Sequence, residues 1–395
     1  MLRRINMQPT ADINFKQNYL SIDYALSLIN KKSITPDDGG CQQWLSNKLT
    51  ALGFTCQQFN INGVTNTIAC IGEGEKSIAF AGHTDVVCPG NMQLWDSPPF
   101  NASIAQGELI GRGAADMKTG LAAMLAATEK VVLSGKKINT KFFWLLTSDE
   151  EGEAEYGSQW IQAYLEQNNI KLNACIVGEP SSKATTGDAI KVGRRGSLSC
   201  KVSVFGKQGH VAYPYYADNA IHKMNNILTK LTAIDWDTGS EDFPGTSLQV
   251  THVDSGNFTD NLVPDKCTIS FNIRYSAKWS QQRLIEFIDA LLTSVTSRYS
   301  FSYDRPCEPY LTTNIEQGCL IQSVEQAIFT QTGKFPLLST SGGTSDGRFF
   351  SENGTQVVEI GVPNKTIHQV NERIKLADLA LLEDIYTSLL TDILV

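Results

Sequence analysis

Ser77-Ile78-Ala79-Phe80-Ala81-Gly82-His83-Thr84-Asp85 decides how this 395-residue chain is read. Its first half is an unbroken apolar run, the pattern of a strand buried on both faces. A histidine and an aspartate follow where that strand ends. The arrangement recurs twice. Phe142-Phe143-Trp144-Leu145-Leu146 leads into Asp149-Glu150-Glu151, and Ala174-Cys175-Ile176-Val177 leads into Glu179. Segments with helical spacing lie between or near these runs, at about 40–52, 117–133 and 157–168. Strands alternating with helices imply an α/β sheet covered on both faces. Sites in such sheets form beyond the carboxyl ends of the strands, which is where these polar residues fall.

The stretch from about 197 to 305 has a different rhythm. Residues 197–205 read as a strand, 217–233 as a helix, and 247–253 and 265–275 as two strands. In the last of these, Cys267, Ile269, Phe271, Ile273 and Tyr275 alternate with polar residues, the period of a half-buried strand. Leu284, Phe287, Ile288, Leu291 and Leu292 mark an amphipathic helix, and a short strand near 299–303 closes the unit. The order βαββαβ predicts a ferredoxin-like α+β insert. The expected division is 1–195 with 308–395 as one domain, and 196–307 as the insert.

Composition narrows the function. The formal net charge of -8 argues against nonspecific nucleic-acid binding, which needs a basic face. With 42% hydrophobic and 19% charged residues, the chain has enough apolar material for a packed core. The nine cysteines are odd in number, scattered, and contain no CxxC, so reduced thiols in the cytoplasm fit better than a disulfide framework. Arg3 and Arg4 are followed by no apolar stretch, so no signal peptide is expected. No apolar run approaches the ~20 residues of a membrane span.

The chemistry rests on five segments: Gly82-His83-Thr84-Asp85, Gly113-Ala114-Ala115-Asp116-Met117-Lys118, Ser148-Asp149-Glu150-Glu151-Gly152, Gly178-Glu179-Pro180 and Thr366-Ile367-His368. Imidazole and carboxylate are the usual ligands of a catalytic zinc with an open position. Two metals about 3.5–4 Å apart share a bridging group and activate water between them. On this reading His83 binds metal and Asp85 orients its ring; the bland alternative is a surface turn. Asp116, at a Gly-rich turn before a helix, is either a helix cap or the bridging ligand. Together with the other segments it reads as the bridge. Glu150 and Glu151 belong either to a solvated acidic loop or to separate tasks. In the second case Glu151 and Glu179 ligate different metals, while Glu150 serves as general base and then as acid to the leaving amine.

Lys191, Arg194 and Arg195 form a basic cluster, either a solvated turn or a carboxylate site. Ser341-Gly342-Gly343-Thr344-Ser345-Asp346-Gly347 is an ordinary flexible loop or a cradle of N–H groups and hydroxyls for an anion. His210 lies in the insert and has a structural reading as a buried histidine. Gly72-Glu73-Gly74-Glu75-Lys76-Ser77 is set aside as a phosphate loop, because Glu75 replaces the required Gly and a strand follows.

Taken together, these segments resemble the di-zinc amidohydrolases that include aminoacylases, acetylornithine deacetylase and carboxypeptidase-type enzymes. Arg194-Arg195-Gly196-Ser197, Gly209-His210-Val211-Ala212-Tyr213-Pro214 and Ser341-Gly342-Gly343-Thr344-Ser345-Asp346-Gly347-Arg348 favour the branch of succinyl-diaminopimelate desuccinylases. The resemblance implies a zinc-peptidase-like domain with a mixed central sheet flanked by helices, and an insert that forms a homodimer. It implies two zinc ions per chain, with cobalt as an alternative in the second site. His83 and Glu179 would hold one metal, Glu151 and His368 the other, and Asp116 would bridge. Lys191, Arg194, Ser197, Tyr213, Gly343, Thr344 and Asn364 would contact substrate. His210 and Asn261 would reach the active site of the partner subunit. The implied reaction is hydrolysis of N-succinyl-LL-2,6-diaminopimelate in bacterial lysine biosynthesis. The competing readings are a deacylase of another N-acyl amino acid, such as acetylornithine, and a catalytically silent binding relative. The chain departs from the pattern at Tyr215, at Ala220 and in the loop 90–96.

Overall fold

The run at 77–83 is a strand with every residue buried. The computed structural model describes residues 18–256, 259–313, 319–351 and 354–395, so Arg3 and Arg4 lie outside the described residues. Two units make up the chain. One comprises residues up to 192 with 312–339 and 345–395; the other comprises 193–311 with 340–344.

The first unit begins with α1 (Leu20–Ile29), α2 (Cys41–Ala51), β1 (Thr55–Ile61), β2 (Val64–Ile71), β3 (Ser77–His83) and α3 (Lys118–Leu133). It continues with β4 (Lys141–Thr147), α4 (Ser158–Gln167), β5 (Ala174–Val177) and β6 (Ala189–Lys191). The second unit holds β7 (Gly196–Phe205), α5 (Ala220–Thr232), β8 (Ser247–Asp254), β9 (Lys266–Tyr275), α6 (Gln281–Thr293) and β10 (Tyr299–Cys307). The chain then completes the first unit with α7 (Leu320–Thr332), β11 (Leu337–Ser339), β12 (Gln356–Glu359) and α8 (Leu376–Leu394).

The first unit is built on an eight-stranded mixed sheet in the order β1-β2-β4-β3-β5-β12-β6-β11. At its centre β3 runs parallel to β4 and β5, and β5 parallel to β12. Phe80 and Phe142 are fully buried there, each contributing about 1.5–3 kcal/mol by burial. The hairpin β1–β2 adds an antiparallel flank against β4. Every residue of α3 from Lys118 to Thr128 is buried, as expected for a helix that is apolar nearly all round. Gly120 permits its close approach to the end of β5: a Cβ there would lie 2.3 Å from the Gly178 carbonyl oxygen.

In the second unit the antiparallel sheet runs β8-β9-β7-β10, and α5 and α6 supply apolar side chains to its core. Leu198, Val202, Ile227, Phe271, Ile273, Leu284 and Ile288 belong to that core. Asn219 caps α5 by accepting the Ile221 N–H, and Ser280 caps α6 by accepting the Arg283 N–H. The element order and sheet order are those of a ferredoxin-like unit.

Three segments differ from the expected division. Residues 193–195, 308–311 and 340–344 pack with the second unit. Within it, Arg194 Nη1 donates to the Ser341 carbonyl oxygen at 3.1 Å, and Thr340 Oγ1 donates to the Asp242 carbonyl oxygen. These bonds join residues about 100 or more positions apart, so local pattern could not reveal them. Among the described residues, no helix is long and apolar enough to cross a membrane.

Candidate metal centre

Three adjacent parallel strands of the sheet deliver the acidic and imidazole groups. His83 is the last residue of β3; Glu150 and Glu151 follow β4; Glu179 follows β5. The ends of β3 and β4 are tied by the Thr84 N–H on the Thr147 carbonyl oxygen at 2.9 Å. Thr84 Oγ1 also donates to Asp38 at 2.7 Å, and Asp38 accepts the Gln42 N–H in the first turn of α2. A buried hydrogen-bonded group thus holds the turn on which His83 sits.

His83 Nδ1 lies 2.9 Å from the Asp85 carbonyl oxygen. A carbonyl can only accept, so this nitrogen carries the proton and Nε2 is left to ligate. The Asp85 carboxylate is farther from the ring, at 3.6 Å. Its oxygens instead accept the backbone N–H groups of Glu150 at 3.4 Å and Glu151 at 3.2 Å. Ring orientation therefore comes mainly from the Asp85 main chain, while its side chain holds the Glu150–Glu151 turn. The sequence pattern suggested only the first task.

Asp116 presents different oxygens to the two histidines. Oδ1 lies 3.2 Å from His83 Nε2, and Oδ2 lies 3.5 Å from His368 Nε2. Glu179 is 3.5 Å from His83 Nε2, and Glu151 is 3.0 Å from His368 Nε2. Ligand atoms bound tetrahedrally to one zinc at about 2.0–2.2 Å stand roughly 3.3–3.6 Å apart. The observed separations, 3.0–3.5 Å, lie close to that spacing, so the donor set fits two cations sharing one carboxylate. The potential ligand atoms of His83, Glu150 and Glu179 also lie within 4.8 Å of one another. Glu150 is therefore inside the cluster.

The electrostatics are those of a site built for positive charge. Burial would lower the His83 pKa, but Asp116, Asp85 and Glu179 hold it well above the usual value. Contacts with Asp116 and Glu151 raise His368 to about 10 against the opposing effect of burial. Burial and the Asp116 charge raise Glu179 to about 7, with His83 opposing. Burial, then Glu179, push Glu150 well above the carboxylate range. Burial would raise Asp116 too, but His368 and His83 draw it below that range.

The remaining candidates are distributed over both units. In the first, Lys191 is buried with Nζ 3.3 Å from Ser339 Oγ, and the half-buried Asn364 is held by its N–H on the Ser182 carbonyl oxygen. In the second, Arg194 is 7% exposed and Ser197 is buried with its hydroxyl accepting from Asn272. Gly342, at φ +113, leaves room for Arg194; a Cβ would meet its Nη1 at 2.3 Å. Gly343 is exposed and Thr344 half-buried. His210 pairs with Leu262 in a short antiparallel ladder, and Asn261 immediately precedes that second strand, its carbonyl oxygen accepting the Val211 N–H. His210 is exposed, so the buried structural reading does not hold. The Tyr213 ring lies beside it, tilted by 55° with 5.7 Å between ring centroids.

Sequence reasoning missed two buried acids. Glu372 accepts four donors from Arg112 and the loop leading to Asp116. Asp346, noted only as part of a Gly-rich loop, is buried and accepts the Ser158 hydroxyl at 2.5 Å. Neither carries a local signal apart from its proximity to His368 or to the Gly-rich run.

The profile of peptidase family M20/M25/M40 matches residues 79–392. The chain belongs to this family. It is a metal-dependent hydrolase with the M20 fold. Succinyl-diaminopimelate desuccinylase 1 of Alteromonas mediterranea is 56% identical to this M20 chain over 372 residues, covering 94% of it and 95% of the relative. Succinyl-diaminopimelate desuccinylase 2 of Shewanella loihica is 49% identical, covering 93% and 98%. Among solved structures, an M20 family metallo-carboxypeptidase from Sulfolobus solfataricus superposes with a TM-score of 0.79 at 16% identity, covering 94% of this chain and 98% of that one.

Proposed function

We infer that this M20 hydrolase cleaves N-succinyl-LL-2,6-diaminopimelate to succinate and LL-2,6-diaminopimelate. The observation that carries the reading is the 56% identity to a succinyl-diaminopimelate desuccinylase along 94% of the chain. The arrangement of His83, Asp116, Glu151, Glu179 and His368 supports a two-metal centre. His83 and Glu179 would hold one metal, Glu151 and His368 the other, with Asp116 shared between them. Zinc suits these ligands, and cobalt can replace it in the second site. When bound, the metals polarise the amide carbonyl and make water acidic enough to attack at neutral pH.

Glu150 takes a proton from the attacking water as its oxygen bonds to the succinyl carbonyl carbon. It delivers that proton to the amide nitrogen as the C–N bond breaks, so the amine leaves neutral. Burial, then Glu179, favour the protonated form of Glu150, the form that donates to the leaving nitrogen. Asp85 keeps Glu150 in place through its backbone N–H.

Three carboxylates on the substrate require cationic and N–H donors. Arg194 is the succinyl-carboxylate contact in this reading, supported by its burial and its fixed contact with Ser341. Lys191, Ser197, Tyr213, Gly343, Thr344 and Asn364 make the other contacts. The inserted unit forms a homodimer, and His210 and Asn261 complete the site of the partner subunit. A cytoplasmic location is part of this reading, supported by nine cysteines, none joined in a disulfide among the described residues.

Product analysis tests the reading. Purified enzyme loaded with zinc is given N-succinyl-LL-diaminopimelate, N-acetylornithine and other N-acyl amino acids. Succinate and diaminopimelate should form much faster than any other products. Preference for acetylornithine would replace the proposed substrate while leaving the chemistry intact.

A further inference from the structure

Glu372 lies four residues beyond His368 and is fully buried. Each of its carboxylate oxygens accepts two hydrogen bonds. Oε1 takes the N–H groups of Ala115 at 2.7 Å and Asp116 at 3.0 Å. Oε2 takes Arg112 Nη1 at 2.7 Å and the Gly113 N–H at 2.9 Å. Three of the four donors are main-chain amides of the loop that presents Asp116. Without Glu372 they would be buried donors lacking this acceptor, which is costly. A salt bridge serving only to neutralise Arg112 would not need that loop.

The same residue belongs to the His368 segment. Its own carbonyl oxygen accepts the Gly111 N–H at 3.0 Å. Immediately after it, Arg373–Lys375 pairs antiparallel with Glu108–Ile110, the strand that leads into the Asp116 loop. Backbone ladder and buried carboxylate therefore join the two ligand segments side by side. Asp116 and His368 are 252 positions apart in sequence, yet one side chain spans the elements that carry them.

We propose that Glu372 is a positioning residue of the metal centre: it locks the loop carrying the bridging carboxylate to the turn carrying His368, and so sets affinity for the metal that Asp116 and His368 share. The inference rests on reading Asp116 and His368 as ligands. Glutamine in place of Glu372 keeps the volume but offers one acceptor oxygen, leaving two of the four donors facing an NH₂ group. The loop then shifts, and the two ligands no longer converge at the same spacing. Contacts of this kind around a metal typically alter its affinity by about 10–100-fold.

The test titrates chelator-stripped full-length protein with Zn²⁺, and separately with Co²⁺ while recording the visible spectrum. Glu372→Gln should bind at least one of the two metals about 10–100-fold less tightly and show a changed cobalt spectrum. Glu383→Gln is the control, because Glu383 is an equally buried carboxylate that instead accepts the Ser21 N–H and pairs with Lys130. It should lose thermal stability and keep both metal affinities. Native affinities and spectrum in a folded Glu372→Gln protein would overturn the proposal. So would an equal loss in Glu383→Gln, which would mark the effect as general destabilisation. If Glu372→Gln does not fold, Glu372→Asp is measured instead; it keeps the charge but withdraws the carboxylate, and the same two outcomes decide. Wild-type protein that binds no metal would refute the ligand reading itself, a result distinct from failure of the variant.

Discussion

The backbone N–H of Glu151 points at the Asp85 carboxylate, 3.2 Å away. Asp85 follows His83 by two residues, so this bond joins the turn after β3 to the turn after β4. Loss of the carboxylate should loosen Glu151 and Glu150 together. Asp85→Ala is expected to weaken metal binding about 10–100-fold and to lower turnover further, because Glu150 is displaced too. Metal titration and kinetics on the same preparation check this; unchanged affinity and turnover would assign the orientation of both turns elsewhere.

Metal binding should depend on pH with a defined sign. His368 has its pKa raised to about 10 by Asp116 and Glu151 against the effect of burial, and Glu179 has its pKa raised to about 7 by burial and the Asp116 charge. At neutral pH His368 therefore carries a proton that a cation must displace. Apparent affinity should rise as pH increases toward these values, and binding should release protons. Calorimetric titration of Zn²⁺ in buffers of different ionisation heat counts them. No proton release at neutral pH would contradict the assignment of His368.

Arg194→Ala should discriminate between substrates. Removing a charge-assisted contact costs about 1.5–3 kcal/mol, which is roughly 10–150-fold in kcat/KM. The loss should appear on the succinyl substrate and be much smaller on an acetyl analogue. Equal losses on both would give Arg194 a structural task, holding Ser341.

His210→Ala should bind metal and dimerise but lose roughly 10²–10³ in rate, the usual worth of a donor to a developing oxyanion. Mixed with inactive Glu150→Gln chains, it should regain part of its activity once subunit exchange is verified. One site of the mixed dimer then combines an intact Glu150 with the partner's His210. Verified exchange without recovery would place His210 in its own chain's site.

Most of the candidate centre was legible in the sequence because its proposed ligands end apolar strands or stand in polar turns with little other purpose. β3, β4 and β5 announce themselves through unbroken apolar runs, and β9 through its alternation. The hairpin β1–β2 was harder to see: Thr55-Cys56-Gln57-Gln58 is polar and lies on the sheet flank. Glu372 was invisible for another reason. It follows Asn371 and precedes Arg373 in a stretch that looks solvated, and only the fold brings the Gly113–Asp116 loop to it. The affiliation of 340–344 with the second unit likewise depends on Arg194 and Asp242, far away in sequence. Periodicity reports which face is buried; it carries no information about which distant loop a buried carboxylate will meet.

The central claim is that Glu150 moves the proton beside a metal centre it does not hold together. Glu150→Gln measures this most directly, with metal content and turnover determined on one sample. The account predicts two metals per chain, as in the wild type, with turnover reduced by at least about 10²–10⁴-fold. Glu151→Gln, by contrast, should lose one metal. A Glu150→Gln enzyme that keeps most of its turnover, or one that is inactive only because its metals are gone, would contradict the account.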